Sequence, residues 1–204
     1  MPADLRICFL GDSLTLGVGD AEARGWVGRV AAATRARGID LTAYNLGVRG
    51  ETTGEIEARF EHEVEPRLLP GADCRVVLCA GVADTVVLEG RLLSTESASV
   101  AALHALLSAA AARGLAALVV GPPPVADPDH DARIASLSSR FQSECADRGI
   151  PFIAVHGTLS RGGAWLGEVA SGDGYHPGAA GYAELAAVVL GGGWWEWLGA
   201  PSAF

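Results

Sequence analysis

The sequence has no surplus of basic residues: 15 Lys and Arg stand against 24 Asp and Glu, a formal net charge of −9. An acidic chain without a Lys/Arg cluster has no electrostatic attraction for a phosphate backbone, which argues against nucleic-acid binding. No apolar run approaches the ~20 residues of a membrane span. The N-terminus also lacks a basic start followed by an apolar stretch and a small-residue cleavage site. We therefore expect a cytoplasmic protein that binds neither nucleic acid nor membrane.

Motifs for metals, redox chemistry and nucleotides are missing too. The four cysteines have no metal-ligand or redox spacing, and Cys8 and Cys79 lie in apolar runs that predict buried small side chains. The glycines at Gly17 and Gly19 do not have dinucleotide-binding spacing, and no Walker-type Gly-Lys-Ser/Thr is present. A G-x-S-x-G elbow is absent, which argues against an ordinary α/β-hydrolase.

What the chain does have is an alternation of short apolar runs and longer helical patterns. Its 204 residues, half of them hydrophobic, fit one domain over 1–204, with a Gly/Trp-rich tail at 191–204. The predicted strands are Leu5–Leu10, Leu41–Leu46, Arg75–Ala80, Ala116–Gly121 and Pro151–Val155. The predicted helices are Trp26–Arg37, Thr53–Val64, Thr95–Arg113, Asp131–Arg148 and Pro177–Leu190.

This alternation predicts a parallel sheet with helices on both faces, because strand–helix–strand crossovers are right-handed. Five such strands favour a three-layer α/β/α fold with a flavodoxin-like five-stranded parallel sheet. In such folds the functional site lies beyond the carboxyl ends of the strands.

Ser13 follows the first predicted strand at that end, in "FLGDSLTLG". A serine hydroxyl is a poor nucleophile unless an oriented base takes its proton. Of the five histidines, His176 in "GDGYHPGAAGY" is the best candidate base. Asp173 lies three residues upstream between two glycines, so its carboxylate can fold back and fix the imidazole tautomer.

These blocks together resemble the GDSL or SGNH hydrolases over nearly the whole chain. "FLGDSLT" is similar to the family's first block and implies Ser13 as nucleophile, with its amide as one oxyanion-hole donor. "YNLGVRGETT" is similar to the second block and implies the amide of Gly50 as another. "GDGYHP" is similar to the last block, with Asp173 and His176. The resemblance implies an esterase, lipase or acylhydrolase that works through an acyl-enzyme, with no metal and no organic cofactor.

The third block departs from the family pattern. Where Gly-x-Asn-Asp is expected, the chain has Gly81-Val82-Ala83-Asp84. A methyl group at Ala83 cannot donate to an oxyanion, and losing one such donor typically costs on the order of 10²–10³ in rate. Ala83 could be an introduced substitution, a natural change with altered chemistry, or the mark of a member that binds without turnover.

Residues around these blocks are candidates for the substrate pocket: Asp12, Leu14, Trp26 and Val82. Trp26 equally suits the start of a core helix. The acids of "DPDHD" around His130 favour helix capping over a metal site. The tail sequence "WWEW" is best explained by packing, although it could also line a substrate mouth or form a dimer contact.

Three functions remain open on these residues. The first is hydrolysis of a small-molecule acyl ester or thioester, in a protein that could form a homodimer. The second is acyl transfer by the same Ser-His-Asp triad. The third is a non-catalytic binding module, in which the loop before a helix holds an anion or a flavin phosphate.

Overall fold

The structure is a computed structural model that describes residues 4–200. Residues 1–3 of the predicted domain and 201–204 of the predicted tail lie outside the described residues. Within the described range, no helix combines the length and the apolar character that a membrane span requires.

All five predicted strands form, each within two residues of its predicted ends. They are β1 Leu5–Gly11, β2 Leu41–Gly47, β3 Asp73–Cys79, β6 Ala116–Val120 and β7 Phe152–Ile153. The five predicted helices also form, as α2 Gly25–Ala36, α3 Thr53–Val64, α4 Glu96–Ala112, α5 Pro128–Asp147 and α8 Ala179–Val189.

The five strands form one parallel sheet in the order β2-β1-β3-β6-β7. This confirms the flavodoxin-like fold. Successive residues of β1 point to opposite faces: Ile7 and Phe9 join one core cluster, and Cys8 and Leu10 join the other. Because both faces are covered by helices, the strand is apolar without alternation.

Two helix starts differ from their predictions. Helix α5 begins at Pro128 rather than at Asp131, because Asp127 caps it by accepting a hydrogen bond from the His130 amide at 2.7 Å. Proline suits the first helical position, where its missing N–H costs nothing. Helix α8 begins at Ala179, two residues after Pro177, with Gly178 at its N-cap.

Several short elements escaped prediction, because a two-residue strand or a helix of one or two turns carries too little periodicity to be recognised. They are helix α1 Ser13–Leu16, the hairpin strands β4 Val87–Leu88 and β5 Arg91–Leu92, and helices α6 His156–Leu159, α7 Ala164–Ser171 and α9 Trp195–Leu198.

The described part of the tail packs on the domain, as the sequence predicted. Trp194 is fully buried, with its ring stacked on Phe9 at 6.1 Å and its indole N–H donated to Thr34 Oγ1 at 3.0 Å. The side chain of Trp195 lies under the Arg37 guanidinium, 3.5 Å from the ring centre. This segment therefore completes one of the two cores.

Candidate active site

Three neighbouring strands end at the same level, and the loops that follow them form the site. Gly11 at the end of β1 pairs in register with Gly47 of β2 and with Cys79 of β3. Ser13, Gly50 and Ala83 each lie two to four residues beyond these ends. The shared register therefore brings the three sequence blocks to one edge of the sheet.

The turn that carries Ser13 is packed too closely for a side chain at Gly11. A Cβ there would lie 2.1 Å from the Cys79 carbonyl oxygen and 2.1 Å from Thr15 Oγ1. Asp12 caps α1 by accepting a hydrogen bond from the Leu14 amide at 2.9 Å, and Ser13 is the first helical residue. Thr15 ties the turn to β3 by donating its hydroxyl to the Cys79 carbonyl at 3.1 Å.

Strand β2 holds the other side of this turn through Asn45, which is not among the predicted site residues. The Asn45 amide donates to the Thr15 carbonyl at 2.9 Å, and its oxygen accepts from the Gly47 amide at 3.1 Å. A Cβ at Gly47 would lie 2.3 Å from the Leu16 nitrogen. An asparagine two residues before the glycine that ends the strand was the available signal.

The Asp173–His176 loop folds as its spacing predicted. Asp173 Oδ1 accepts from the amides of Tyr175 and His176, both at 2.9 Å, and Oδ2 lies 2.7 Å from His176 Nδ1. Burial raises the pKa of Asp173, but the hydrogen bonds from the His176 ring and the two amides outweigh it and lower the pKa to about 2. Ionised Asp173 can only accept, so His176 Nδ1 carries the proton.

The other ring nitrogen of His176 meets the serine. His176 Nε2 lies 2.8 Å from Ser13 Oγ. With Nδ1 protonated, Nε2 is the acceptor and the Ser13 hydroxyl is the donor. The structure thus joins Ser13, His176 and Asp173 in one hydrogen-bonded chain with the polarity that nucleophilic catalysis needs.

The histidine loop is held against the serine loop by close backbone contact. Tyr182, fully buried on α8, donates its hydroxyl to the Val18 carbonyl at 2.7 Å. Gly19 has φ +93°, and a Cβ there would lie 2.6 Å from the Pro177 carbonyl oxygen and 3.1 Å from His176 Cβ. Glycine is therefore required for this approach.

The third block forms a buried turn beside the serine. Asp84 is fully buried, and its Oδ2 accepts from the Thr53 amide at the start of α3 at 2.9 Å. Ala83 is 8% exposed and offers no side-chain donor. The turn is braced from behind by His130, whose Nε2 lies 3.1 Å from the Val82 carbonyl and 2.9 Å from Thr85 Oγ1.

His130 serves this turn as a neutral ring. Burial lowers its pKa, against a smaller opposing effect of the hydrogen bond to Val82. A neutral imidazole that bonds a carbonyl through Nε2 is protonated at that nitrogen. The expected capping role of the preceding acids holds for Asp127, which caps α5.

A cavity of about 150 Å³ opens between these loops. Its lining residues come from all the blocks: Asp12, Ser13, Leu14, Arg49, Gly50, Val82, Ala83, Val86, Tyr175 and His176. Every predicted site residue lies here or beside His176, with one exception. Trp26 does not line the cavity; it is fully buried in the core, edge-on to Phe9 at 5.7 Å.

Three lining residues were not anticipated. Arg49 directly precedes Gly50, Tyr175 directly precedes His176, and Val86 lies three residues after Ala83. Each neighbours a recognised block, so sequence proximity was the only signal, and the orientation of a loop residue does not follow from its position in the chain.

Asp12 is the buried ionisable group of this cavity. Burial, helped by the Asp84 charge, outweighs the opposing hydrogen bonds from the backbone amides, chiefly that of Leu14, and raises its pKa to about 7. Near neutral pH the side chain of Asp12 is therefore divided between its protonated and ionised forms.

The chain is similar in sequence to a known protein family. A sequence model of the GDSL-like lipase/acylhydrolase family matches residues 9–184. No curated protein sequence matches the chain.

Solved structures with the same fold include a lipase/acylhydrolase from Enterococcus faecalis, with TM-score 0.74, 24% identity and 93% of each chain covered. The acetylxylan esterase Axe2 from Geobacillus stearothermophilus has TM-score 0.78, 17% identity and 99% of each chain covered. The psychrotrophic esterase EstA from Pseudoalteromonas sp., solved with monoethylphosphonate as inhibitor, has TM-score 0.72 and 20% identity, with 95% of this chain and 98% of that chain covered.

Proposed function

Because the chain belongs to the GDSL-like lipase/acylhydrolase family, we propose that it hydrolyses an acyl ester or thioester through an acyl-enzyme formed on Ser13. The observation that carries this proposal is the hydrogen-bonded chain of Ser13 Oγ, His176 and Asp173, with distances of 2.8 Å and 2.7 Å. A serine activated by an oriented imidazole is the arrangement that acyl transfer to a hydroxyl requires.

The first half-reaction forms the acyl-enzyme. Ser13 Oγ bonds to the carbonyl carbon as its proton passes to His176 Nε2, and the carbonyl electron pair moves onto the oxygen. Asp173 stabilises the imidazolium that forms. When the oxyanion collapses, the bond to the leaving alkoxide or thiolate breaks, and that group takes the proton from His176.

The second half-reaction releases the acid. A water molecule attacks the acyl carbon while His176 Nε2 takes one of its protons. Collapse of this second oxyanion breaks the bond to Ser13 Oγ, which regains the proton from His176. In the proposed oxyanion hole the backbone amides of Ser13 and Gly50 are the donors, and Ala83 supplies none from its side chain.

The cavity favours a short acyl group. Its volume of about 150 Å³ lies below the roughly 300–1,000 Å³ of sites for drug-sized ligands. The apolar side chains of Leu14, Val82 and Val86 line it. An acetyl or similarly small acyl ester fits this description, and the acetylxylan esterase among the structural relatives is named for such a substrate.

The decisive experiment is labelling with a serine-reactive fluorophosphonate, followed by intact mass. We expect one adduct on the natural chain and none on Ser13→Ala. An unlabelled natural chain would contradict the proposal and favour a non-catalytic binding module. Product analysis with added alcohol or amine acceptors then separates hydrolysis from acyl transfer, because a transferase yields the acylated acceptor.

A further inference from the structure

Beside the backbone amides of Ser13 and Gly50, the cavity is short of side-chain hydrogen-bond donors where an oxyanion would form. Ser13 and His176 are engaged with each other, Asp12 accepts from the Leu14 amide and is a donor only in its protonated form, and Ala83 has no polar side-chain atom. The remaining polar side chains of the lining are those of Arg49 and Tyr175.

Arg49 is available for a new partner. Within residues 4–200 it forms no side-chain hydrogen bond and no ion pair, although most arginines of this chain do. It is exposed at the rim of the cavity, so its guanidinium keeps its five donors free. Its Cα is about 3.8 Å from that of Gly50, since the two residues are consecutive.

A cationic side chain would stabilise an oxyanion in this cavity. Asp12 lines the cavity and Asp84 is buried behind Ala83, so negative charge developing on a carbonyl oxygen meets two carboxyl groups. Arg49 is the one cationic side chain among the cavity-lining residues that the structure describes, apart from His176 when protonated. A charged donor forms a hydrogen bond roughly twice as strong as a neutral one.

We propose that Arg49 is a catalytic residue, whose guanidinium donates to the oxyanion in place of the asparagine amide missing at Ala83. This inference rests on the proposed function, since it assigns a donor to the same acyl-transfer step. It supplies the side-chain donor that the chain lacks at Ala83. Tyr175, with a neutral hydroxyl, is the competing donor.

The test uses Arg49→Met, which keeps an unbranched flexible side chain and removes every donor, with a small neutral acetyl ester as substrate. We expect kcat to fall about tenfold or more, approaching the ~10² loss for one oxyanion donor, with KM nearly unchanged. Arg49→Lys should retain part of the rate. Arg91→Met, at an exposed position on hairpin strand β5 outside the cavity lining, should leave kcat unchanged.

A double variant makes the test specific. If the Asn side chain and the guanidinium serve the same oxyanion, Ala83→Asn should raise kcat much more in the Arg49→Met background than in the natural chain. Equal increases in both backgrounds would overturn the proposal, because independent sites are additive.

Two other results would also overturn it. One is an Arg49→Met loss confined to KM or to esters bearing a carboxylate, which would make Arg49 a binding group for substrate anions. The other is an unchanged kcat in Arg49→Met with a large loss in Tyr175→Phe. Fluorophosphonate labelling of Ser13 in the natural chain separates these failures from failure of the hydrolase itself, which would leave Ser13 unlabelled.

Discussion

At the residue scale, the proposed chemistry depends on which atom of each side chain holds a proton. Asp173 accepts through both oxygens, and this leaves His176 Nε2 free to accept from Ser13. The low pKa of Asp173, about 2, keeps that carboxylate ionised at neutral pH. One neutral amide in its place would reverse the polarity of the whole chain of hydrogen bonds.

Asp173→Asn tests this polarity. The amide nitrogen would donate to His176 Nδ1, so Nε2 would carry the proton and could not receive the one from Ser13. We expect kcat to fall on the order of 10⁴-fold, as for the same change in serine proteases. Steady-state kinetics measures the fall, and an unchanged Tm would show that the loop is intact; more than a tenth of natural activity would contradict the assignment.

Ala83→Asn restores the side chain that the family pattern has at this position. A new amide donor toward the oxyanion should raise kcat for small esters, by at most the ~10²–10³ that one donor contributes. Ala83→Ser is the matched control, because it adds a shorter polar group. No increase with Asn would mean that the amide does not reach the oxyanion in this fold.

Asp12 gives the free energy of unfolding a predictable pH dependence. Its pKa is about 7 in the folded chain against an ordinary 3.8, so folding takes up a proton between these values. The free energy of unfolding should therefore fall as pH rises from about 4 to about 7. Asp12→Asn, which keeps an acceptor for the Leu14 amide and cannot ionise, should flatten that fall.

Urea unfolding across this pH range measures the difference. Asp129→Asn, at an exposed position in the first turn of α5, is the control and should follow the natural curve. Parallel curves for the natural chain and Asp12→Asn would show that Asp12 ionises in the folded state as freely as in the unfolded one.

At the element scale, the starts of helices α3 and α5 set where the loops after β2 and β6 end. Thr52 and Glu55 form a reciprocal capping box at α3, and the next amide, that of Thr53, is bound by buried Asp84. Asp127 caps α5 three residues before His130, which braces the Val82 carbonyl. Each capped helix start therefore positions a residue that supports the third block.

Asp127→Ala should weaken the start of α5. Removing an Asp N-cap typically costs about 1 kcal/mol, which for a chain of this size corresponds to a Tm lower by about 2–4 °C. Asp127→Asn, whose oxygen can still accept from the His130 amide, should keep most of the stability. Thermal unfolding followed by circular dichroism measures both, and equal losses would show that charge rather than capping is what matters.

At the scale of the whole molecule, two apolar cores enclose the sheet, and the C-terminal segment belongs to one of them. Trp194 stacks on Phe9. Phe9 belongs to β1 and lies two residues before Gly11. Phe9 also packs edge-on against Trp26. The strand that carries the serine turn is thus supported by residues from both ends of the chain.

Trp194→Ala should destabilise the molecule by about 3–5 kcal/mol, since it removes a fully buried ring and leaves a cavity. It also leaves Thr34 Oγ1 without its indole partner. Urea unfolding measures the loss. Trp197→Ala, at a half-buried position of the same segment, is the control; a loss as large as that of Trp194→Ala would contradict the central role of Trp194.

The amino-acid sequence by itself determined where the strands and helices lie, the parallel three-layer class that they form, and the candidate residues Ser13, Asp173 and His176. These follow from local signals: the apolar pattern of β1, the Gly11-Asp12-Ser13 turn, and the Asp173 carboxylate three residues before His176. Hydrophobic periodicity and turn chemistry act over a few residues, so they can be read along the chain.

Only the tertiary structure decided what surrounds the triad. Ser13 and His176 are 163 residues apart, and their contact depends on the strand register and on the close approach of Gly19 to Pro177. The same packing put Trp26 in the core and Arg49 at the rim of the cavity. The direction of a side chain in a loop depends on contacts with residues that are distant in sequence. A local sequence pattern does not predict these contacts.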